Sequence, residues 1–182
     1  MEEKEPAPGL PAGTFDDFKN IVDGYGALAM ALAINILGNR DDAEDACQDA
    51  FIQVYRNLEK FDRTRSFKTW FYTIIYRRCL DYLRYRRRSL ELLKKAGREA
   101  VRFPSAAADL DPPAQNLPSN LLERLNARER TALCLWANEG YTAGEISEVL
   151  RCSAGTARVY LFQARKKIKR LLEQRHVSLQ NG

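Results

Sequence analysis

Apolar residues recur at three- and four-residue steps along most of this chain, and no segment shows the alternation of a half-buried strand. In 15–38 the stripe is Phe18, Ile21, Val22, Tyr25, Ala29, Leu32 and Ile36. Gly38-Asn39 supplies a stop there, because both residues tolerate a left-handed backbone. A second stripe follows in 40–61: Ala43, Ala46, Cys47, Ala50, Phe51, Val54 and Leu58. Asp41, Asp42, Glu44 and Asp45 crowd its first turns, where the helix dipole favours negative charge. The stretch DRTRS breaks the pattern, and Ser66 is placed to cap a third helix running to about Arg88. Phe67, Trp70, Phe71, Ile74, Ile75 and Leu83 can turn toward a core.

The pattern continues weakly through 89–102 and then stops. Residues 103–120 hold four prolines and several small residues and read as a linker. A second module starts near Leu121 with two short helices over NLLERLNARERTALCLWANEG. A capped helix from Thr142 to Leu150, a tight turn RCS, and a longer helix capped by Ser153 come next. Thr142 and Glu145 have the spacing of a capping box. The long helix turns Ala157, Leu161, Ala164, Ile168 and Leu171 inward. Its outward set includes Arg158, Phe162, Gln163, Arg165, Lys166, Lys169 and Arg170. This is the helix-turn-helix layout, in which long donors early in the second helix reach base edges and later cations meet phosphates. Arg151 stands where such turns often carry glycine, which predicts a strained or altered turn.

The expected architecture is therefore all-α: two small helical domains joined by a flexible linker, preceded by a flexible tail over 1–13. Charge sharpens this picture. Residues 1–62 carry net −8, 63–102 net +10, 103–150 net −4 and 151–182 net +7, giving +5 in all. Two cationic blocks on helical patterns, separated by an acidic one, suggest two contacts with a polyanion, nucleic acid first.

The segment WFYTIIYRRCLDYLRYRRR, 70–88, joins aromatics to arginines. With Ile74, Ile75, Leu80 and Leu83 toward the core, Arg77, Arg84 and Arg88 share one side, bordered by Tyr72, Tyr76 and Tyr85. Guanidinium groups hold phosphates and rings stack unpaired bases, a combination suited to locally opened DNA. The plainer alternative makes the rings core and the arginines a solvated rim.

Other chemistry has little support. The cysteines (Cys47, Cys79, Cys134, Cys152) form no CxxC pair and read as small buried thiols. The one histidine, His176, lies near the C-terminus, and no phosphate-cradling loop appears. The acidic first turn of the second helix fits the dipole and solvent better than a metal, so neither catalysis nor a cofactor is expected. The apolar run 27–38 is short for a bilayer and is interrupted by Asn35, and the acidic, Pro/Gly-rich N-terminus lacks the basic start of a secretory signal. The expectation is a cytoplasmic protein without membrane contact of its own.

DAEDACQDAFIQVYRNLEKFD, SFKTWFYTIIYRRCLDYLRYRRR and LNARERTALCLWANEGYTAGEISEVLRCSAGTARVYLFQARKKIKRLL together resemble, in order and spacing, regions 2 and 4 of bacterial sigma factors of the extracytoplasmic-function type. The resemblance implies region 2 over 14–90, a linker over 91–117, region 4 over 118–175 and a tail over 176–182. It implies an alternative, non-catalytic sigma subunit that binds core RNA polymerase and directs it to promoter DNA. Asp45, Gln48, Asp49, Phe51 and Gln53 would grip the clamp of the largest subunit, and the second domain would meet the flap of the second-largest. Recognition and melting of the −10 element would fall to Phe61, Arg63, Ser66, Phe67, Lys68, Arg77, Asp81, Arg84 and Arg88. Reading of the −35 element would fall to Ser153, Thr156, Arg158, Val159, Tyr160, Phe162, Gln163, Arg165 and Lys166. An anti-sigma factor is an expected partner. Two departures stand out: Arg77 replaces a common Asn, and Val159, Tyr160 and Gln163 replace Ser and two Arg. Val159 or Tyr160 suits a thymine methyl and Gln163 suits adenine. A DNA-binding regulator that never meets polymerase would explain the helix-turn-helix but neither the acidic helix nor the aromatic-arginine helix.

Overall fold

The computed structural model describes residues 15–95, 122 and 124–180. Six helices are present among them: α1 (Phe15–Leu37), α2 (Arg40–Asn57), α3 (Phe67–Lys95), α4 (Ala127–Glu139), α5 (Ala143–Leu150) and α6 (Ala154–Gln180). The described residues contain no strand. The tail over 1–13 and the linker from 96 to 117 lie outside the described residues; 91–95 continue α3, and α6 runs past 175.

Local signals account for the helix ends. Gly38 takes φ +69° after α1, and Asn39 then caps α2 by accepting from Asp42 N–H at 3.1 Å. Ser66 Oγ accepts from Thr69 N–H at 3.3 Å at the start of α3. Thr142 and Glu145 complete the capping box of α5, and Asn126 and Glu129 form a second one on α4. Gly140 closes α4 at φ +65°.

α1, α2 and α3 pack as a bundle. Its centre is an aromatic group in which Phe71 lies 5.3 Å from Tyr25, 5.4 Å from Phe51 and 6.1 Å from Phe67, ring centre to ring centre. By length and composition, residues Phe18–Leu37 would suffice to cross a bilayer, a longer stretch than the 27–38 run. Here Ile21, Ala29, Leu32, Ala33, Ile36 and Leu37 are instead buried, and α1 packs on α2, α3 and α4 as a core helix.

α4, α5 and α6 form the second module. Buried Glu129 accepts two bonds from Lys167 Nζ, at 2.9 and 2.7 Å, tying α4 to α6. The predicted inward stripe of α6 holds: Ala157, Ala164 and Ile168 are buried, and Leu161 and Leu171 pack against the core.

The modules are not separate. Tyr141, Ile146, Val149 and Leu150 of the second lie in the same buried cluster as Phe71, Tyr72 and Ile75 of the first. α3 contacts α5, and α1 contacts α4. Arg130 Nη1 donates to the Ile36 carbonyl at 2.8 Å, so a cation from α4 caps the C-terminus of α1.

Candidate nucleic-acid interface

Between 71 and 76 every side chain of α3 is buried, because the helix has two packed faces. Phe67, Phe71, Ile74 and Ile75 serve the bundle, Thr69 and Tyr72 turn toward the second module, and Thr73 donates to the Thr69 carbonyl within the helix. Tyr72 Oη donates to Glu139 Oε1 at 2.7 Å, and Lys68 pairs with the other oxygen of Glu139. The Tyr72 and Tyr141 rings meet edge to face at 6.0 Å. Burial, then the Glu139 carboxylate, holds the Tyr72 hydroxyl far above the usual tyrosine range, so it is a donor at neutral pH. Tyr72 and Tyr76 are thus packed rather than presented to bases as the sequence suggested. Tyr85, 73% exposed, keeps that option.

Beyond residue 76 the helix emerges and its basic side opens. Arg77, Arg84 and Arg88 are exposed. Asp81 accepts from Arg84 at 3.1 Å and lies 3.8 Å from Arg78. Arg78 also makes two bonds to Gln53 Oε1, at 3.0 and 2.6 Å. In the loop before α3, Asp62 Oδ1 accepts from Thr64 N–H and Thr64 Oγ1, which lowers the Asp62 pKa and fixes a turn carrying exposed Arg63 and Ser66. Phe61 and Phe67 require a correction. Both are buried, their rings 5.6 Å apart, and Phe61 sits 4.7 Å from Trp70. They anchor the loop and do not face DNA.

The acidic edge of α2 is presented as expected: Asp45, Gln48 and Asp49 are exposed. Phe51 is a packing residue, edge-on to Phe18 at 6.4 Å, and Gln53 is occupied by Arg78.

In α6, Ser153 Oγ accepts from Thr156 N–H at 3.1 Å, and its hydroxyl meets that of Thr156 at 2.9 Å. Both residues therefore hold the helix start. Arg158, Val159, Phe162, Gln163, Arg165 and Lys166 are exposed on one side, with Val159 at 55% and Phe162 at 62%. Lys166 lies over the Phe162 ring at 5.9 Å and Arg165 over Trp136 at 4.9 Å. Tyr160 is half-buried and accepts from Arg128 at 2.8 Å. The preceding turn is built on Arg151 in the left-handed region, φ 50° and ψ 56°.

Cys47, Cys79 and Cys134 are buried, and Cys152 is half-buried. Desolvation pushes the Cys47 thiol up to about 11 and the Cys134 thiol up to about 12, so both stay protonated and inert. No group of three or more His, Cys, Asp or Glu placed to hold a metal occurs among the described residues.

A three-helix bundle with a cationic third helix, followed by a capped helix-turn-helix, is the pairing found in sigma-70-type initiation factors. The profile of Sigma-70 region 2 matches residues 21–89, and that of Sigma-70, region 4 matches 119–168. The chain is 30% identical to the ECF RNA polymerase sigma factor SigW of Bacillus subtilis, across 94% of this chain and 97% of that one. It is 31% identical to the ECF RNA polymerase sigma-E factor of Haemophilus influenzae, across 74% and 77%. Among solved structures it resembles the sigma factor RpoE in complex with the anti-sigma factor NepR from Bartonella quintana. That match has a TM-score of 0.71 and 25% identity, and covers 87% of this chain and 98% of the other. CnrH in complex with the cytosolic domain of CnrY matches with a TM-score of 0.63 and 25% identity, across 89% and 91%. The chain belongs to the extracytoplasmic-function sigma factors. It is a non-catalytic specificity subunit that binds core RNA polymerase and directs promoter-specific initiation of transcription.

Proposed function

We propose that the two exposed cationic faces divide the promoter between them. Arg77, Arg84 and Arg88 of α3, with Asp81, Arg63 and Ser66, take the −10 element as its strands part, while Lys68 is engaged by Glu139 in the seam. Arg158, Val159, Phe162, Gln163, Arg165 and Lys166 of α6 read the −35 element as duplex. Ser153, Thr156 and Tyr160 hold that helix in place. Residues 14–90 and 118–175 are the two working domains, and 91–117 tether them.

The observation that carries this reading is the exposure of Arg158, Val159, Phe162, Gln163 and Lys166 opposite the buried Ala157, Ala164 and Ile168. A helix placed in a major groove needs that division. Phosphate neutralisation supplies affinity at both faces, and base edges supply choice. Asp45, Gln48 and Asp49 offer carboxylates and an amide to the polymerase clamp, and the second module meets the flap. An anti-sigma factor is a further partner, supported by the NepR and CnrY complexes of the two similar structures. The site of action is the cytoplasm, where the polymerase works.

The test uses holoenzyme reconstituted on a promoter selected from genomic DNA. Replacing Arg77 and Arg84 together by alanine lowers permanganate reactivity of −10 thymines more than it lowers closed-complex binding. Undiminished reactivity would remove α3 from melting. Failure of the wild-type chain to retain core polymerase at micromolar concentration would instead favour a DNA-binding regulator.

A further inference from the structure

At the junction of the two modules lies a cleft of about 440 Å³ whose walls carry five guanidinium groups, from Arg77, Arg78, Arg84, Arg128 and Arg151, against one carboxylate, Asp81. Three of the five are already engaged: Arg78 by Gln53, Arg84 by Asp81, Arg128 by Tyr160. The guanidinium groups of Arg77 and Arg151 make no hydrogen bond or ion pair among the described residues, and they come from opposite modules. Partial desolvation and then the nearby positive charge of Arg151 depress the Arg77 pKa, and the Asp81 carboxylate offsets this only in part.

The backbone points the same way. Arg151 is the one non-glycine residue with positive φ among the described residues, and it caps α5 where glycine would carry no strain. The turn thus tolerates a costly conformation while delivering a guanidinium to the seam. Two guanidinium forks lining one cleft, with free donors, match the oxygens of phosphate in donor pattern and charge. The cleft has the size of a small-molecule site rather than a groove for duplex DNA.

We propose that this cleft is a binding site for a small polyphosphate anion, of the di- or triphosphate class, held between Arg77 and Arg151 and joining the two modules. Neutralising the pair removes the repulsion across the seam, so the bound anion favours the closed arrangement. The inference shares Arg77 and Arg84 with the −10 reading but does not rest on it, because its test contains neither promoter nor polymerase.

The experiment titrates inorganic triphosphate into the full-length protein by calorimetry, at ionic strength held constant with sodium chloride. Binding is expected at one site per chain, with a rise in melting temperature. Arg151→Gly removes the charge and relieves the strained turn, so the fold is retained, as circular dichroism checks. It weakens binding by roughly tenfold or more, the scale of a lost charge-assisted hydrogen bond. Arg77→Ala does the same, and Arg170→Ala, outside the cleft, changes affinity less than about twofold. Equal weakening by Arg151→Gly and Arg170→Ala would mean diffuse attraction to a basic protein and would overturn the proposal. So would the absence of any binding above the chloride background. A single-stranded oligonucleotide arm separates the sources of phosphate: its affinity is expected to be insensitive to Arg151→Gly. If it falls as steeply as that of triphosphate, the cleft tracks a DNA strand and the proposal fails.

Discussion

Replacing Tyr72 by phenylalanine removes one oxygen from the seam between the modules and leaves the packed ring in place. The lost bond is short, 2.7 Å, runs to a carboxylate, and is shielded, since Tyr72 is 1% exposed and the Glu139 side chain 12%. Hydrogen bonds to charged groups contribute about 1.5–3 kcal/mol, more than neutral ones. Lys68 still pairs with Glu139 in the variant, which keeps the carboxylate from being stranded and places the cost near the lower end of that range. At about 1.4 kcal/mol per decade, the closed arrangement should lose roughly tenfold in population relative to open forms. Single-molecule energy transfer between dyes on α2 and α6 reads this directly as a growing long-distance population. Glu139→Gln, which breaks the Lys68 pair but keeps an acceptor for Tyr72, should by itself also open the molecule. The double variant should be non-additive by about 0.5–3 kcal/mol, as expected of groups sharing one network. Superimposable distance distributions for Tyr72→Phe and the wild-type protein would refute the idea that this hydroxyl latches the modules.

Phe71→Ala empties the aromatic centre of the bundle and should cost about 3–5 kcal/mol in denaturant unfolding, because Phe71 is fully buried among Tyr25, Phe51 and Phe67. Arg158→Ala should weaken −35-dependent binding by about 1–3 kcal/mol, read as a shift in footprinting midpoint on a cognate promoter. Burial raises the Tyr141 hydroxyl to about 12 and those of Tyr72 and Tyr76 also upward. Folding favours their protonated forms, so this contribution is whole below about pH 10, where an unfolded tyrosine ionises, and is lost as pH rises further. Urea titrations at neutral and alkaline pH should show that decline, and Tyr141→Phe should flatten part of it.

The helix ends were legible because each rests on a local device: Gly38 after α1, Ser66 before α3, the Thr142–Glu145 box and the Ser153 cap. The inward stripe of α6 was legible for the same reason, since spacing alone decides it. Tyr72 and Tyr76 were misread because a polar-tipped ring suits an exposed stacking surface and a buried seam equally well, and only the partner decides. A clue was present: Thr69, Tyr72, Thr73 and Tyr76 recur at helical spacing and form a second stripe on α3, one a solitary bundle would not need. Phe61 was drawn toward DNA by its place in a basic loop, whereas its ring completes the Phe67–Trp70 cluster. Glu139 and Arg130 could not be found from spacing at all. Their partners, Tyr72 and the Ile36 carbonyl, are 67 and 94 residues away.

The buried cluster that runs unbroken from Phe71 and Ile75 to Ile146, Val149 and Leu150 has a calorimetric consequence. A partner that parts the modules must re-wet hydrocarbon that now lies dry, and newly wetted hydrocarbon raises heat capacity. Assembly of such a complex would carry a positive increment opposing the negative one of its own contact surface. The melting endotherm of the unbound protein should be single, because neither half can lose its interior without exposing the other's.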